Sequence, residues 1–114
     1  MQEPDATGGV SVTDLTASAF RIGRPADVLE LVATGVDRAI ILADQIDPRF
    51  FDLSSGFAGE LVQKCVNYGL RIAVVDSRGS ERSTHFRQFA GESNRHGRFI
   101  VTDSNEDALS RLSA

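Results

Sequence analysis

The run Phe50-Phe51-Asp52-Leu53-Ser54-Ser55-Gly56-Phe57-Ala58-Gly59-Glu60-Leu61-Val62-Gln63-Lys64-Cys65-Val66-Asn67-Tyr68-Gly69 sets two hydroxyls and a glycine at the mouth of a strongly amphipathic helix. Phe57, Leu61 and Cys65 recur every four residues with Ala58, Val62 and Val66 beside them, while Glu60, Gln63, Lys64 and Asn67 line the opposite face. Gly69 supplies the stop. Before the helix, Asp44 to Leu53 form a connection with Pro48 and two adjacent aromatics, placed to plug the end of a sheet. Cys65 falls on the apolar stripe and reads as a core thiol. Tyr68, beside the stop, reads as a cover for the core edge.

Working outward, Arg38-Ala39-Ile40-Ile41-Leu42-Ala43 and Leu70-Arg71-Ile72-Ala73-Val74-Val75 are short, nearly unbroken apolar runs rich in β-branched residues, the pattern of strands covered on both faces. Arg98 to Thr102 is a third. Pro25 suits a first helical position, Val28, Leu29, Leu31 and Val32 make a stripe, and Gly35 ends it. Ser83 is placed to cap a helix through Phe86, Phe89 and Ala90 that stops at Gly97. Ser104-Asn105-Glu106-Asp107 opens a closing helix through Ala108, Leu109 and Leu112. Val10, Val12 and Leu15, followed by Ala19 to Ile22, predict an N-terminal hairpin turning near residues 16–18. Residues 1–9 are polar, with Pro4 and two glycines, and read as a disordered tail.

The resulting order, β-β-α-β-α-β-α-β-α, predicts one small α/β domain over residues 10–114. Its sheet is mixed, mostly parallel and four- to five-stranded, with about four helices. A length of 114 residues suits a single core. The net charge of −4, with both signs interspersed, offers no electrostatic footprint for nucleic acid or an anionic membrane. There is no membrane-length apolar run, and Met1 to Asp5 lacks a basic, then apolar leader, so a cytoplasmic protein is expected. With one cysteine, neither an internal disulfide nor a cysteine-based zinc cage is expected.

A helix start exposes unpaired N–H groups and partial positive charge, so Ser54, Ser55 and Gly56 are a candidate phosphosite or anion contact. A plain capping role for either serine, worth about 0.5–2 kcal/mol, uses the same geometry. Asp52, Glu60, Gln63, Lys64 and Asn67 form a candidate interaction surface, with Glu60 and Lys64 spaced to pair at i and i+4. In parallel α/β sheets ligands sit beyond the carboxyl ends of the strands, which makes Asp44, Asp76, Arg82, Ser83 and Glu92 a candidate pocket. No phosphate-loop or dinucleotide glycine spacing accompanies it. His85 and His96 lack a third metal ligand at diagnostic spacing, and Ser55 lacks the Gly-x-Ser-x-Gly flank of a hydrolase. No catalytic residue, metal or cofactor is therefore assigned.

With these elements in order, Phe51-Asp52-Leu53-Ser54-Ser55-Gly56 resembles the Asp-Ser-Ser-Gly-Leu signature at the second helix of the STAS domains, the sulfate-transporter and anti-sigma-factor-antagonist family. That resemblance implies a regulatory domain in which a partner kinase phosphorylates the serine before the glycine, here Ser55. Leu53 separates Asp52 from the serines in this chain. A longer likeness is to a bacterial family known as domain of unknown function 4180. Phe50-Phe51-Asp52-Leu53, Ala58-Gly59-Glu60, Gln63-Lys64, Asn67-Tyr68, Phe89 and Glu92-Ser93-Asn94 follow its pattern, and it implies no agreed activity. The expectation is a non-catalytic regulatory or interaction domain whose partner is another protein or a second copy, as a homodimer. The alternative is a small-molecule or anion binder, or an enzyme, using the strand-end pocket.

Overall fold

The computed structural model describes residues 11–113; the expected tail over residues 1–9, and Val10 of the expected hairpin, lie outside them. Four strands, β1 (Thr13–Asp14), β2 (Arg38–Leu42), β3 (Arg71–Val75) and β4 (Phe99–Thr102), form one sheet in the order β1-β2-β3-β4. Every pairing is parallel. The apolar runs at the centre therefore fall in register, with Ala39 opposite Ile72 and Ile72 opposite Phe99.

Each crossover advances one strand in the same direction, so a common right hand puts all connecting helices on one face. Helices α1 (Leu29–Ala33, entered through a 3₁₀ turn at Pro25–Val28), α2 (Phe57–Tyr68) and α3 (Thr84–His96) occupy that face. Their buried side chains, including Val28, Leu31, Leu61, Cys65 and Phe86, pack on Ala39, Ile41, Ile72, Val74 and Phe99. Helix α4 (Asn105–Leu112) follows the last strand, is free of the crossover rule, and folds over the other face. There Ala108 and Leu112 meet Ile40, Ala73 and Ile100. The strict alternation of strand residues between the two faces produces this division.

The expected hairpin is corrected. Thr13 and Asp14 pair parallel with β2, and residues 19–22 add only a parallel bridge between Ile22 and Ile46, so no antiparallel pair exists among the described residues. The physical reason is Gln45, which is buried between the two segments. Its amide donates to the carbonyls of Leu15 and Phe20 at 2.9 Å each and accepts from the Leu42 N–H at 2.7 Å. The chain after β1 is thereby tied to the carboxyl end of β2 and does not turn back along β1.

The outer edge of β4 is closed by side chains. Asn94 donates to the Val101 carbonyl at 2.9 Å and accepts from the Val101 N–H at 2.8 Å, while the Ser93 hydroxyl donates to the Phe99 carbonyl at 2.5 Å. These are backbone groups an added strand would require, so α3 blocks extension of the sheet at this edge. At the amino edge, Arg38 donates to the Leu112 carbonyl, and Arg71 donates to the carbonyls of Gly97 at 2.9 Å and Arg111 at 3.1 Å. Positive charge thus meets the carbonyl end of α4, the favourable sign for a helix dipole. Gly69, at φ +70°, ends α2 in the left-handed conformation that a side chain would strain. Among the described residues no helix is long and apolar enough to cross a membrane.

Candidate functional site

The connection from β2 to α2 contains Pro48, whose fixed φ starts a 3₁₀ turn over Pro48–Phe51, and Asp52, whose carboxylate caps a second over Leu53–Ser55. Asp52 accepts from the Ser54 N–H at 3.1 Å and from the Ser54 hydroxyl at 2.6 Å. The Ser55 hydroxyl lies within 2.8 Å of the Arg49 carbonyl and 2.7 Å of the Asp52 carbonyl, and accepts from the Phe57 N–H at 3.1 Å. Both serines are exposed. Gly56 takes the N-cap position of α2 at φ +80°, and the helix has no side-chain hydrogen bond from its N-cap. A left-handed residue there lets the chain turn directly from one short helix into the next, and glycine alone brings no strain.

Around this mouth Arg49 is exposed, bonds Asp47 at 2.9 Å, and places its guanidinium 5.5 Å from the centre of the Phe57 ring. Hydrogen bonds from the Arg49 side chain and then its backbone hold the Asp47 carboxyl below its usual range. Of the expected interaction surface, Glu60, Gln63 and Asn67 are exposed and Lys64 is half-buried. Glu60 and Lys64 make no ion pair, whereas Gln63 donates to Asn67 at 2.9 Å. Tyr68 is 49 % exposed, so it stands out from the core edge it was expected to cover. Burial pushes the Cys65 thiol up to about 12, which leaves it protonated and unreactive at neutral pH.

The second half of the site is the loop after β3. Asp76 is buried and receives the Arg82 guanidinium in two bonds of 2.9 and 3.0 Å, while the Arg82 carbon lies 3.6 Å from the centre of the Phe51 ring. One arginine thereby joins the β3 loop to the turn that enters α2. A cleft of ≈ 220 Å³ between the ends of β2 and β3 is lined by Asp44, Asp76, Ser77, Arg78 and Arg82. A wider one of ≈ 420 Å³ between the ends of β3 and β4 shares Asp76 and Ser77 and reaches Thr102, Asp103, Asp107 and Arg111. Bonds from Thr102 first and Arg111 second hold the Asp107 carboxyl below its usual range.

Asp44, Asp76 and Arg82 are therefore brought together. Ser83 caps α3, accepting from the Phe86 N–H at 3.1 Å. Glu92 lies apart from the cleft, on the later turns of α3, where it pairs with Arg95. Sequence reasoning missed Gln45, Arg49 and the Thr102–Asp107–Arg111 set. The only trace of Gln45 in the sequence is an amide next to Ile46 in a turn, which carries no information about the distant carbonyls it bonds. Among the described residues no group of three or more His, Cys, Asp or Glu side chains is placed to hold a metal ion.

Fold and rim together define a small parallel α/β domain with three helices on one face, one on the other, and a polar carboxyl edge. The chain belongs to the family described as Domain of unknown function (DUF4180), which matches residues 7–112. No curated protein and no solved structure matches it.

Proposed function

We propose that the chain is a cytoplasmic, non-catalytic regulatory domain that binds a partner protein along the rim from Asp52 to Lys64, with Ser55 as the residue whose phosphorylation switches that binding. The observation that carries this reading is the exposed residue Ser55, its hydroxyl bonded only to local backbone, beside a helix mouth whose N-cap, Gly56, brings no side chain. A phosphoryl group there adds about −1.5 to −2 charge and three strong acceptors at the positive end of the α2 dipole, beside the Phe57 N–H that the Ser55 oxygen already accepts. Phosphorylation also removes the proton that Ser55 shares with the Arg49 and Asp52 carbonyls, so it loosens the turn entering α2 while a partner seated on the rim meets a new double charge. The STAS domains, which the sequence resembles at this motif, use a serine before a glycine in this way.

The test is mass spectrometry of the protein isolated from its own cells, followed by partner binding of Ser55→Ala and Ser55→Glu. Phosphate on Ser55 and a partner that distinguishes the two variants is the expected result. Loss of the Ser55 hydroxyl's bonds to the Arg49 and Asp52 carbonyls and the Phe57 N–H makes Ser55→Ala less stable by about 0.5–1.5 kcal/mol, which thermal unfolding reads separately. An unmodified Ser55 together with equal binding by both variants overturns the reading.

A specific observation favours a second reading. The loops after β3 and β4 leave toward opposite faces, to α3 and α4, and open between them the ≈ 420 Å³ crevice at which α/β sheets take ligands. A small polar molecule or anion bound there at ~100 times its dissociation constant adds about 2.7 kcal/mol of stability. A thermal-shift screen of phosphates, nucleotides and metabolites detects a rise of that size, and silence across the screen ends this reading.

A further inference from the structure

The Ser55 turn and the two strand-end clefts are joined by an unbroken line of contacts. The Ser55 hydroxyl shares its proton between the Arg49 and Asp52 carbonyls, at 2.8 and 2.7 Å, and so clips together the two ends of the segment that carries Phe51. The centre of the Phe51 ring lies 3.6 Å from the Arg82 guanidinium carbon, and Arg82 gives two bonds of 2.9 and 3.0 Å to Asp76. Among the described residues the Arg82 side chain has no other partner, so the ring and the carboxylate alone fix its orientation. Asp76 stands, with Ser77, in the wall of both clefts.

The two aromatics of the turn answer differently to a change at this clip. Phe50 is fully buried against Phe86 and Phe99, whereas Phe51 is only partly buried. A turn that loosens therefore shifts Phe51 first, and with it the one support Arg82 has besides Asp76. We infer that the Ser55 hydroxyl positions the Arg82–Asp76 pair through the Phe51 ring, so that the state of the rim sets how far the Asp76 carboxylate is open to the clefts. With the clip closed, the Asp76 side chain is 1 % exposed and neutralised by Arg82. With the clip open, Arg82 turns out to water more often, and the carboxylate becomes an acceptor for a cationic group in either cleft. The regulatory use of this linkage rests on the phosphorylation reading above, because a phosphoserine has lost the proton that makes the clip. Its size is bounded, since withdrawing one hydroxyl's hydrogen bonds shifts the opening of the pair by no more than those bonds contribute, about twofold to tenfold.

Hydrogen exchange of the Arg82 Nε–H, followed by NMR of the full chain, reads the pair directly, because that proton is held by Asp76. Ser55→Ala is expected to speed its exchange about twofold to tenfold. In a Phe51→Leu background the same change is expected to have no further effect, since the ring that carries it is gone. The Ala108 N–H, bonded to the Ser104 carbonyl on the other face of the sheet, is the control for general loosening and is expected to keep the parent's rate. An Arg82 Nε–H that does not respond to Ser55→Ala, that responds only as far as Ala108 does, or that responds equally without the Phe51 ring overturns the linkage. Ser55→Ala needs no kinase, so an unmodified Ser55 in the cell ends the switch and leaves this result standing, and the two fail separately.

Discussion

Replacing Asp76 by alanine is expected to lower the unfolding free energy by about 3 kcal/mol, the lower part of the range for removing one partner of a buried ion pair. The Asp76 side chain is 1 % exposed and that of Arg82 19 %. Alanine would leave a mostly enclosed guanidinium on the Phe51 ring without its counter-charge, and would also free the Arg78 N–H, which now reaches the Asp76 carboxylate at 3.2 Å. Partial access of water to Arg82 keeps the loss from the upper part of the range. Urea denaturation of Asp76→Ala, Arg82→Met and the double variant checks this, and the double is expected to lose clearly less than the two singles summed. A loss below about 1 kcal/mol, the value of an exposed pair, would show that water satisfies Arg82 and that the latch between the β3 loop and the α2 entry does not hold.

Phe50→Ala is expected to cost about 3–5 kcal/mol. Phe50 is fully buried and packs edge-on to Phe51 and Phe86, at centroid distances of 4.9 and 5.3 Å, with Phe99 tilted at 5.5 Å. It joins a 3₁₀ turn, α3 and β4, so the cavity left by alanine has walls from three elements and cannot be closed by moving one of them. Denaturation should show a lower midpoint with an unchanged slope, the sign of lost stability in an otherwise intact fold. Phe51→Ala should lose less, since Phe51 is only partly buried. Equal losses at the two positions would refute the assignment of Phe50 as the centre of the cluster.

Both residues act on the rim from beneath. Phe50 fixes the turn that presents Ser54 and Ser55, and Arg82, stacked on Phe51, holds the neighbouring loop against that turn. A change in rim recognition in either variant is therefore interpretable only beside its measured stability.

Much of the framework was legible from residue pattern. The apolar runs at residues 38–43, 70–75 and 98–102 became three parallel strands within a residue or two at each end. Ser83 and Ser104 both cap as their positions implied, because a cap needs only a hydroxyl and the N–H two or three residues ahead. Ser54 and Ser55 follow a different course: Gly56 is the N-cap of α2, and Ser54 gives its hydroxyl to Asp52 within the preceding 3₁₀ turn. The hairpin was not legible. Alternating apolar residues at 10–15 and 19–22 fit either an antiparallel partner or a parallel one, and the choice was made by Gln45, an amide 30 residues from the Leu15 carbonyl it binds.

The candidate pocket divides along the same line. Asp44, Asp76 and Arg82 follow strand ends, and any parallel sheet brings such positions to one edge, so their meeting follows from strand order alone. Glu92 was misplaced because a helix carries its later turns back toward the opposite end of the sheet. The Arg82 stack on Phe51 and the closing of β4 by Asn94 depend on how far apart separate elements come to rest. Local sequence determined which segments are strands and helices, where they begin and which face of each is apolar, because those properties are decided within a few residues by periodicity and capping. Which buried polar group meets which partner was decided by the packed structure, because those bonds join separate elements, from 6 residues apart for Arg82 and Asp76 to 30 for Gln45 and Leu15, and exist only once the layers have closed.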